Sequence, residues 1–553
     1  MRAVARTPEL VKNGAQRPLQ DRIMQKTSLF RATLFFAAIL ANVNYLAFIL
    51  NPAHAGNVGF WLATALADTI TIVIFASTWA TALFFEVSRS RYARELAELR
   101  ATGAHLLGQP VAVLITVVNE DLAIVRDTVK SALSLIGEKT VYLLDDGKRA
   151  ATQKLAALLG VRYVRRSDQD GYKAGNLNNA LAHHVREPFA IIVDADFALD
   201  PQFIERTIPL FADPRVAAVQ TPQVYGNADT LFARGCKHLQ DIFYDYLQPG
   251  KHLLRSSFCV GTNVIFRTKA LREVGGLSEM HSEDIFTTLA LLERGYRVSF
   301  LNERLAVGLS PRTLTSFYTQ QNRWALGGFL MMLKHNTLFN RKLTPAQRIQ
   351  FFLSNFFYLS GISVAIYLLS PLIAIFLNIK ALNEAYLSQW LAAYALFFAG
   401  NFVLATALLK KHRLSSWVLS VFTFVPYLSA LGSTLVSVRP FRWRVTNARS
   451  TSVITKLLAP YIALVCLALA VGCFLVVGVL AVHRTLGLYY AWLVVDVLVV
   501  VPFMVQGYAA TSKTAPTEVT GPLAEENLLT ARDEPRDVRD DGVRRSIGLP
   551  HAP

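Results

Sequence analysis

Two carboxylates, Asp194 and Asp196, follow the apolar run Phe189–Val193 with one residue between them. Carboxylates this close repel unless positive charge sits between them. A hard divalent cation such as Mg2+ or Mn2+, shared with a diphosphate, supplies that charge. The competing reading is a helix N-cap, but Asp200-Pro201 already provides that start for the next helical stretch. Asp145-Asp146-Gly147 ends another apolar run and by itself reads as a turn. Lys173, in the stretch Tyr172–Asn178, opens a helical pattern, where a cation opposes the helix dipole but suits an anionic ligand. Ser282-Glu283-Asp284 precedes an amphipathic stretch and, taken alone, is a helix cap. Gln320, Arg323 and Trp324 share one face of a helix. That guanidinium can grip a diphosphate, and the indole can stack on the apolar face of a sugar ring. An amphipathic helix at a membrane surface would use the same residue types.

These groups need elements to bring them together. Val111–Val117 reads as a buried strand ending at Asn119-Glu120, and strand-like runs recur at Thr140–Leu144, Val161–Arg165, Phe189–Val193 and Val216–Gln220. Helical patterns fall between them at 121–135, 150–159, 173–186 and 201–212. This alternation predicts a parallel sheet with helices on both faces, whose ligands bind beyond the carboxyl ends of the strands. Glu120, Asp145, Asp146, Asp194 and Asp196 all stand at such ends.

Composition sets the surroundings. Of 553 residues, 53% are hydrophobic and 17% charged, the profile of a membrane protein with a large soluble part. Six stretches are long and apolar enough to cross about 30 Å of hydrocarbon. They lie near 28–50, 60–85, 351–378, 386–409, 457–482 and 486–508. Basic residues before Ser28 place the first segment in the cytoplasm, and the loop 51–59, without Lys or Arg, faces outward. Ala53-His54-Ala55 imitates a signal-peptidase site, but the apolar region is too long for a signal peptide and a second span follows at once. The expected order is a cytoplasmic segment 1–27, two spans in 28–86, a cytoplasmic domain 87–345, two spans in 346–409, an interfacial helix and loop in 410–450, two spans in 451–510 and a disordered cytoplasmic tail 511–553.

The apolar stretch 416–437 has basic clusters on both sides, so a helix along the membrane face keeps both inside, where a span would not. Pro426 in its middle fits that bent helix. The net charge of +17 is best matched to anionic lipid headgroups rather than nucleic acid, because much of it flanks apolar segments. The four cysteines form no CxxC, and reduced thiols are expected.

Together these motifs resemble the processive family 2 glycosyltransferases, bacterial cellulose synthase catalytic subunits most closely. The family pattern Asp-Asp-Gly, Asp-x-Asp, Thr-Glu-Asp, Gln-x-x-Arg-Trp recurs here in order, with Ser282 in place of Thr, and the likeness runs from about Val111 to Arg449. It implies an α/β GT-A (Rossmann-like) cytoplasmic glycosyltransferase domain inserted in an α-helical transmembrane bundle. It also implies a UDP-sugar donor, a growing polysaccharide acceptor and a divalent metal, Mg2+ or Mn2+. By matching position, Thr116, Glu120, Asp145 and Asp146 surround the uridine, while Lys173, Arg323 and Gln320 reach the donor's phosphates. Asp196 holds the metal with Asp194 beside the donor, Asp284 is the general base, and Trp324 and Glu283 face the acceptor. Trp443, Val445 and Thr446 match a loop that closes over the nucleotide.

A single base with no carboxylate nucleophile implies inversion, so an α-linked donor gives a β-linked product. The resemblance places the protein in the inner (plasma) membrane with catalytic domain and both termini cytoplasmic, a glycan tunnel between the helices and an envelope accessory subunit as partner. No stretch corresponds to the family's PilZ domain, so control by cyclic-di-GMP is not expected within this chain. Phe258–Thr262 matches the family's acceptor-side pattern only in part and Trp443 replaces Phe, which leaves glucose, N-acetylglucosamine and mixed-linkage products open. The rivals are a non-processive transferase to a lipid or oligosaccharide, and a transporter or nucleotide sensor with a degenerate catalytic domain.

Overall fold

The computed structural model describes residues 9–227, 231–311, 313–409 and 414–436, with 488, 489, 491–496 and 498. The expected spans at 457–482 and over most of 486–508, the loop containing Trp443, Val445 and Thr446, and the tail 511–553 lie outside the described residues.

The chain opens with α1 (Glu9–Ile49), α2 (Val58–Val87) and the amphipathic α3 (Arg89–Gly103). Then come β1 (Val111–Val117), α4 (Leu122–Leu133), β2 (Lys139–Asp145), α5 (Ala150–Leu158), β3 (Arg162–Val164), α6 (Tyr172–His183), β4 (Phe189–Asp194), β5 (Phe197–Leu199) and α7 (Phe203–Thr207). The second half holds β6 (Val216–Gln220), β7 (Val224–Tyr225), α8 (Leu231–Leu239), α9 (Gln248–Leu253), β8 (Val264–Arg267), α10 (Thr268–Glu273), α11 (Glu283–Glu293), β9 (Arg297–Phe300) and β10 (Ala306–Gly308). Last are α12 (Leu314–Leu333), α13 (Pro345–Phe356), α14 (Ser360–Leu377), α15 (Leu387–Leu409), α16 (Leu414–Val421) and α17 (Phe424–Leu435).

Seven strands form one sheet in the order β3-β2-β1-β4-β8-β6-β9. Every residue of β1 is buried, as its unbroken apolar run requires for a strand covered on both faces. Val113 and Ile115 pack into one hydrophobic core, and Ala112 and Leu114 into the other. The expectation of a parallel sheet needs one correction: β8 runs antiparallel to both β4 and β6. The chain reaches β8 from the 257–263 loop, already at the carboxyl ends of its neighbours, so the strand can only run back down. A small second sheet, β5-β10-β7, lies just beyond Asp196 and was not anticipated.

Among the described residues, four helical segments are long and apolar enough to cross a membrane: Leu29–Ile49, Val58–Val87, Pro345–Leu377 and Glu384–Leu409. The loops at one end of α1/α2 and α14/α15 are joined, with Gly56 N–H donating to Ala381 O (2.9 Å) and Asn57 N–H to Lys380 O (2.8 Å). Helices α16 and α17 each fall short of the roughly 20 residues a span needs. They lie against α8 and α12 instead: Ser416 Oγ donates to Gly235 O (2.8 Å), and Asn322 Nδ2 on α12 donates to Pro426 O (2.9 Å).

Candidate active site

Register is what gathers the strand-end residues. On β1, Thr116 faces Asp194 of β4, and Val117 faces Asp145 of β2, so the three ends finish level. Asp145 is fully buried and accepts from Gly147 N–H (2.8 Å), Lys148 N–H (3.1 Å), Arg149 N–H (3.1 Å) and the Tyr163 hydroxyl (3.0 Å). Asp146 is held by a bidentate pair with Arg166, at 2.8 and 2.7 Å. Both carboxylates therefore shape the turn, and the surface they offer a ligand is that turn. Glu120 folds back to accept from Val118 N–H (2.6 Å). Burial pushes its carboxyl above the usual range, against the backbone N–H groups and Arg149.

The centre of the site is Lys173, at the start of α6. Its ammonium donates to Asp194 Oδ1 (2.5 Å) and Gly261 O (2.8 Å) and stands 3.6 Å from Glu283 Oε1. Burial pulls this lysine down, and Asp194 and Glu283 more than offset it, so its affinity for the proton is raised. Asp196 is different. Burial first, then the charges of Asp194 and Glu120, push it up to about 7, with Lys173 only partly opposing. Among the described residues no cluster of three or more His, Cys, Asp or Glu could cage a metal. The donor set nevertheless fits a hard divalent ion completed by phosphate oxygens and water, because the Asp196 carboxylate beside Asp194 is only partly offset by Lys173.

Asp284 begins α11 beside Glu283. Burial and the Glu283 charge push its carboxyl up to about 7, while Ile285 N–H, Arg323 and Lys173 pull it back. The field of Arg323 reaches both Asp284 and Lys173, which brings α12 to the same pocket. Helix α12 can come so close because position 327 is glycine: a methyl there would stand 2.5 Å from Ser282 Cβ. On the same helix Gln320 Nε2 lies 3.5 Å from the buried Tyr225 hydroxyl, and Trp324 is half-buried. Thr116, Glu120, Lys173, Asp194, Asp196, Glu283, Asp284 and Arg323 thus form one connected cluster.

Sequence reading missed Arg166, and it gave Gln220, Gly261 and Thr262 no individual role, only membership of stretches that resemble the family. Arg166 joins the Asp145-Asp146 turn to the start of α6, donating also to Tyr172 O (2.9 Å). Gln220, fully buried, binds the 260–263 loop through Val260 N–H (2.9 Å) and Thr262 O (2.9 Å), and Thr262 Oγ1 accepts from Asp194 N–H (2.9 Å). Gly261 lies at φ +84°, where a Cβ would sit 3.3 Å from Glu283 Oε1 and 3.4 Å from Asp284 Oδ2. Gly261→Ala places an L-residue in left-handed backbone, at about 1–2 kcal/mol, and puts a methyl among the carboxylates. Its melting temperature should fall by several degrees and its transfer rate at least about tenfold; scanning calorimetry and a turnover assay check both.

A cavity lies within the helical bundle. Its volume is about 300 Å³, and it is lined by Tyr45, Trp61, Asp68, Tyr367, Trp390 and Tyr394, among others. The Asp68 carboxylate accepts from Tyr367 OH (2.7 Å) and Tyr45 OH (3.2 Å), tying α1, α2 and α14 together at its wall.

Comparison with known proteins gives these arrangements a family. The model described as Glycosyl transferase family group 2 matches residues 189–482, more than half of the chain. The chain is 32% identical over 291 residues to the UDP-forming cellulose synthase catalytic subunit of Pseudomonas fluorescens (strain SBW25), covering 50% of this chain and 39% of that protein. It is 29% identical over 374 residues to cellulose synthase 1 of Komagataeibacter xylinus, covering 65% of this chain and 23% of that protein. The chain therefore spans well under half the length of these curated relatives. Among solved structures, a mannosyltransferase from Pyrobaculum calidifontis in complex with GDP-Man and Mn2+ is similar at 16% identity and a TM-score of 0.45, covering 68% of this chain and 100% of that one. With its mixed α/β sheet and apolar helices, this chain belongs to glycosyl transferase family group 2.

Proposed function

We propose that the protein is an inverting, processive glycosyltransferase of a membrane, moving a hexose from a UDP-sugar, UDP-glucose first, onto a growing β-1,4-linked glucan. The observation that carries this reading is the single ammonium of Lys173, shared by Asp194 on the donor side and by Gly261 O and Glu283 on the acceptor side. Its supports include the likeness to UDP-forming cellulose synthases.

In this reading Thr116, Glu120 and the Asp145-Asp146 turn hold the uridine. Lys173, Arg323 and Gln320 face the diphosphate, while Asp196, with Asp194 beside it, holds a divalent metal. When bound, that metal would offset the charge gathering on the departing UDP. The acceptor's terminal sugar stacks on Trp324 and rests against Glu283. Asp284 takes the proton of its attacking hydroxyl as the new C1–O bond forms and the bond from C1 to the diphosphate breaks. Attack opposite the leaving group turns an α-linked donor into a β-linked product. Trp443, Val445 and Thr446 are proposed to close over the nucleotide. The aromatic cavity between the helices supports passage of the glucan through the bundle, since planar rings stack on sugar faces. Both termini and the catalytic domain are assigned to the cytoplasmic side of the inner membrane.

Purified full-length protein in lipid nanodiscs, given radiolabelled UDP-glucose and Mg2+, should make an ethanol-insoluble product that a β-1,4-glucanase releases. Label confined to a lipid extract or a short oligosaccharide would refute processivity, and label taken only from UDP-N-acetylglucosamine would refute the glucan. Because Asp284 works as the charged carboxylate and its affinity for the proton is raised to about 7, transfer should increase with pH through about 7. Below that it should fall about tenfold per unit; a pH–rate profile at saturating donor reads this directly.

A further inference from the structure

Arg255, just past the end of α9, holds its backbone at φ +57°, left-handed space that glycine or asparagine enters readily and arginine does not. A residue persists in such a conformation only where its surroundings over-determine it. Three contacts do so here. Arg255 N–H donates to His252 O (3.0 Å), Gln347 Nε2 donates to its carbonyl (2.7 Å), and its guanidinium is paired with Glu95. Gln347 lies in the first turn of α13, and Glu95 lies on α3. Only Ser88 separates α3 from α2, and α13 opens the segment Pro345–Leu377, so both grips come from helices joined directly to membrane-crossing segments. Charge balance does not require the pair: Glu95 also has Arg297 at 3.2 Å, and the Arg255 side chain is 38% exposed. Such a pair contributes little to stability. What it fixes is position.

The chain after Arg255 has no slack. Ser256 N–H donates to Lys251 O (2.8 Å), Ser257 Oγ to Val298 O (2.5 Å) and Gln248 Nε2 to Phe258 O (2.9 Å). Cys259 N–H then donates to Thr288 Oγ1 (3.0 Å), which itself donates to Asp284 O (2.8 Å), and two residues later Gly261 O meets Lys173. A shift of Arg255 is therefore passed to the groups beside Asp284. We propose that Arg255 is a positioning residue for transfer. Gripped by Glu95 and Gln347, it sets where loop 257–263 stands relative to the membrane helices, and with it the seat of the acceptor's terminal sugar. It touches neither substrate. This rests on the reading above, which puts Gly261 O, Glu283 and Asp284 on the acceptor side.

The test uses full-length protein in lipid nanodiscs with UDP-glucose and Mg2+, reading transfer rate, UDP affinity by titration calorimetry and ligand-free melting temperature. Arg255→Gly relaxes the backbone while it deletes the grip. It should melt within about 3 °C of the wild type, bind UDP within about twofold and transfer at least about tenfold more slowly. Arg255→Asn, also at home in left-handed backbone, should do the same. Arg255→Lys keeps a cation for Glu95 and should regain at least about a third of the wild-type rate. Glu95→Gln should also slow transfer, and adding it to Arg255→Gly should cost nothing further, since the two residues act as one unit. Wild-type transfer per folded molecule in Arg255→Gly and Arg255→Asn overturns the inference. So does a loss of rate matched by an equal loss of UDP affinity, which marks a general loosening of the site, and so does an Arg255→Lys as slow as Arg255→Gly. A wild type that transfers no sugar sinks the reading of the site itself, and this one with it.

Discussion

Asp284→Asn should fold, bind UDP as the wild type does, and transfer sugar at least about 10³-fold more slowly. The substitution is nearly isosteric, and the hydrogen bond from Ile285 N–H to Oδ1 at 2.8 Å can be kept by an amide oxygen. What disappears is the site that accepts a proton. Asp284 is suited to that work because burial and the neighbouring Glu283 raise its proton affinity to about 7, while Lys173 and Arg323 keep it from rising further. An ordinary carboxylate would be a much weaker base toward a sugar hydroxyl. Glu283 lies beside it, yet its carboxylate is turned toward Lys173 and offers no replacement. Incorporation from radiolabelled UDP-glucose, paired with UDP binding on the same preparation, is the measurement. Near-normal incorporation would remove Asp284 from the base role and leave the site without an assigned base.

Lys173→Met carries the second large effect, and it should appear in two readouts at once. Removing the ammonium leaves Asp194 and Glu283 facing each other, and Gly261 O loses its donor. Breaking a buried pair by deleting one partner costs about 3–5 kcal/mol. The Asp194 side chain is 35% exposed, so water recovers part of that, and about 2–3 kcal/mol is expected. Transfer should drop by at least about 10³-fold, because the proposed mechanism sets the same ammonium against the departing diphosphate. The double variant Lys173→Met/Asp194→Asn separates the two consequences. It should recover part of the lost melting temperature, since the repulsion between Asp194 and Glu283 is gone, and none of the activity. If the single variant melts like wild type, the ammonium is not the charge that holds this pocket together.

Parts of this site were legible because they obey local rules. Val111–Val117 and Phe189–Asp194 are apolar runs too short for helices and ending in carboxylates, so strand ends and their acids could be located together. Lys173 and Arg323 stood out for their neighbours: a lysine opening a helix, and a guanidinium one residue before an indole. The antiparallel β8 was not legible. Val264–Arg267 is only four residues, and nothing in four residues says which end enters the sheet. Nor was Arg166, because the buried carboxylate that accounts for it lies 20 residues earlier along the chain.

From the linear order of residue types alone came the membrane helices, the alternating strands and helices, and the acids at strand ends, since hydropathy and backbone period act over one or two turns of chain. Only the tertiary structure decided which charges meet. Lys173 touches Gly261 across 88 positions, and Gly327 admits Ser282 because a missing side chain lets two elements close. Electrostatic and steric terms fall off with distance in space, not along the sequence, so contacts of this kind exist only once the chain has packed.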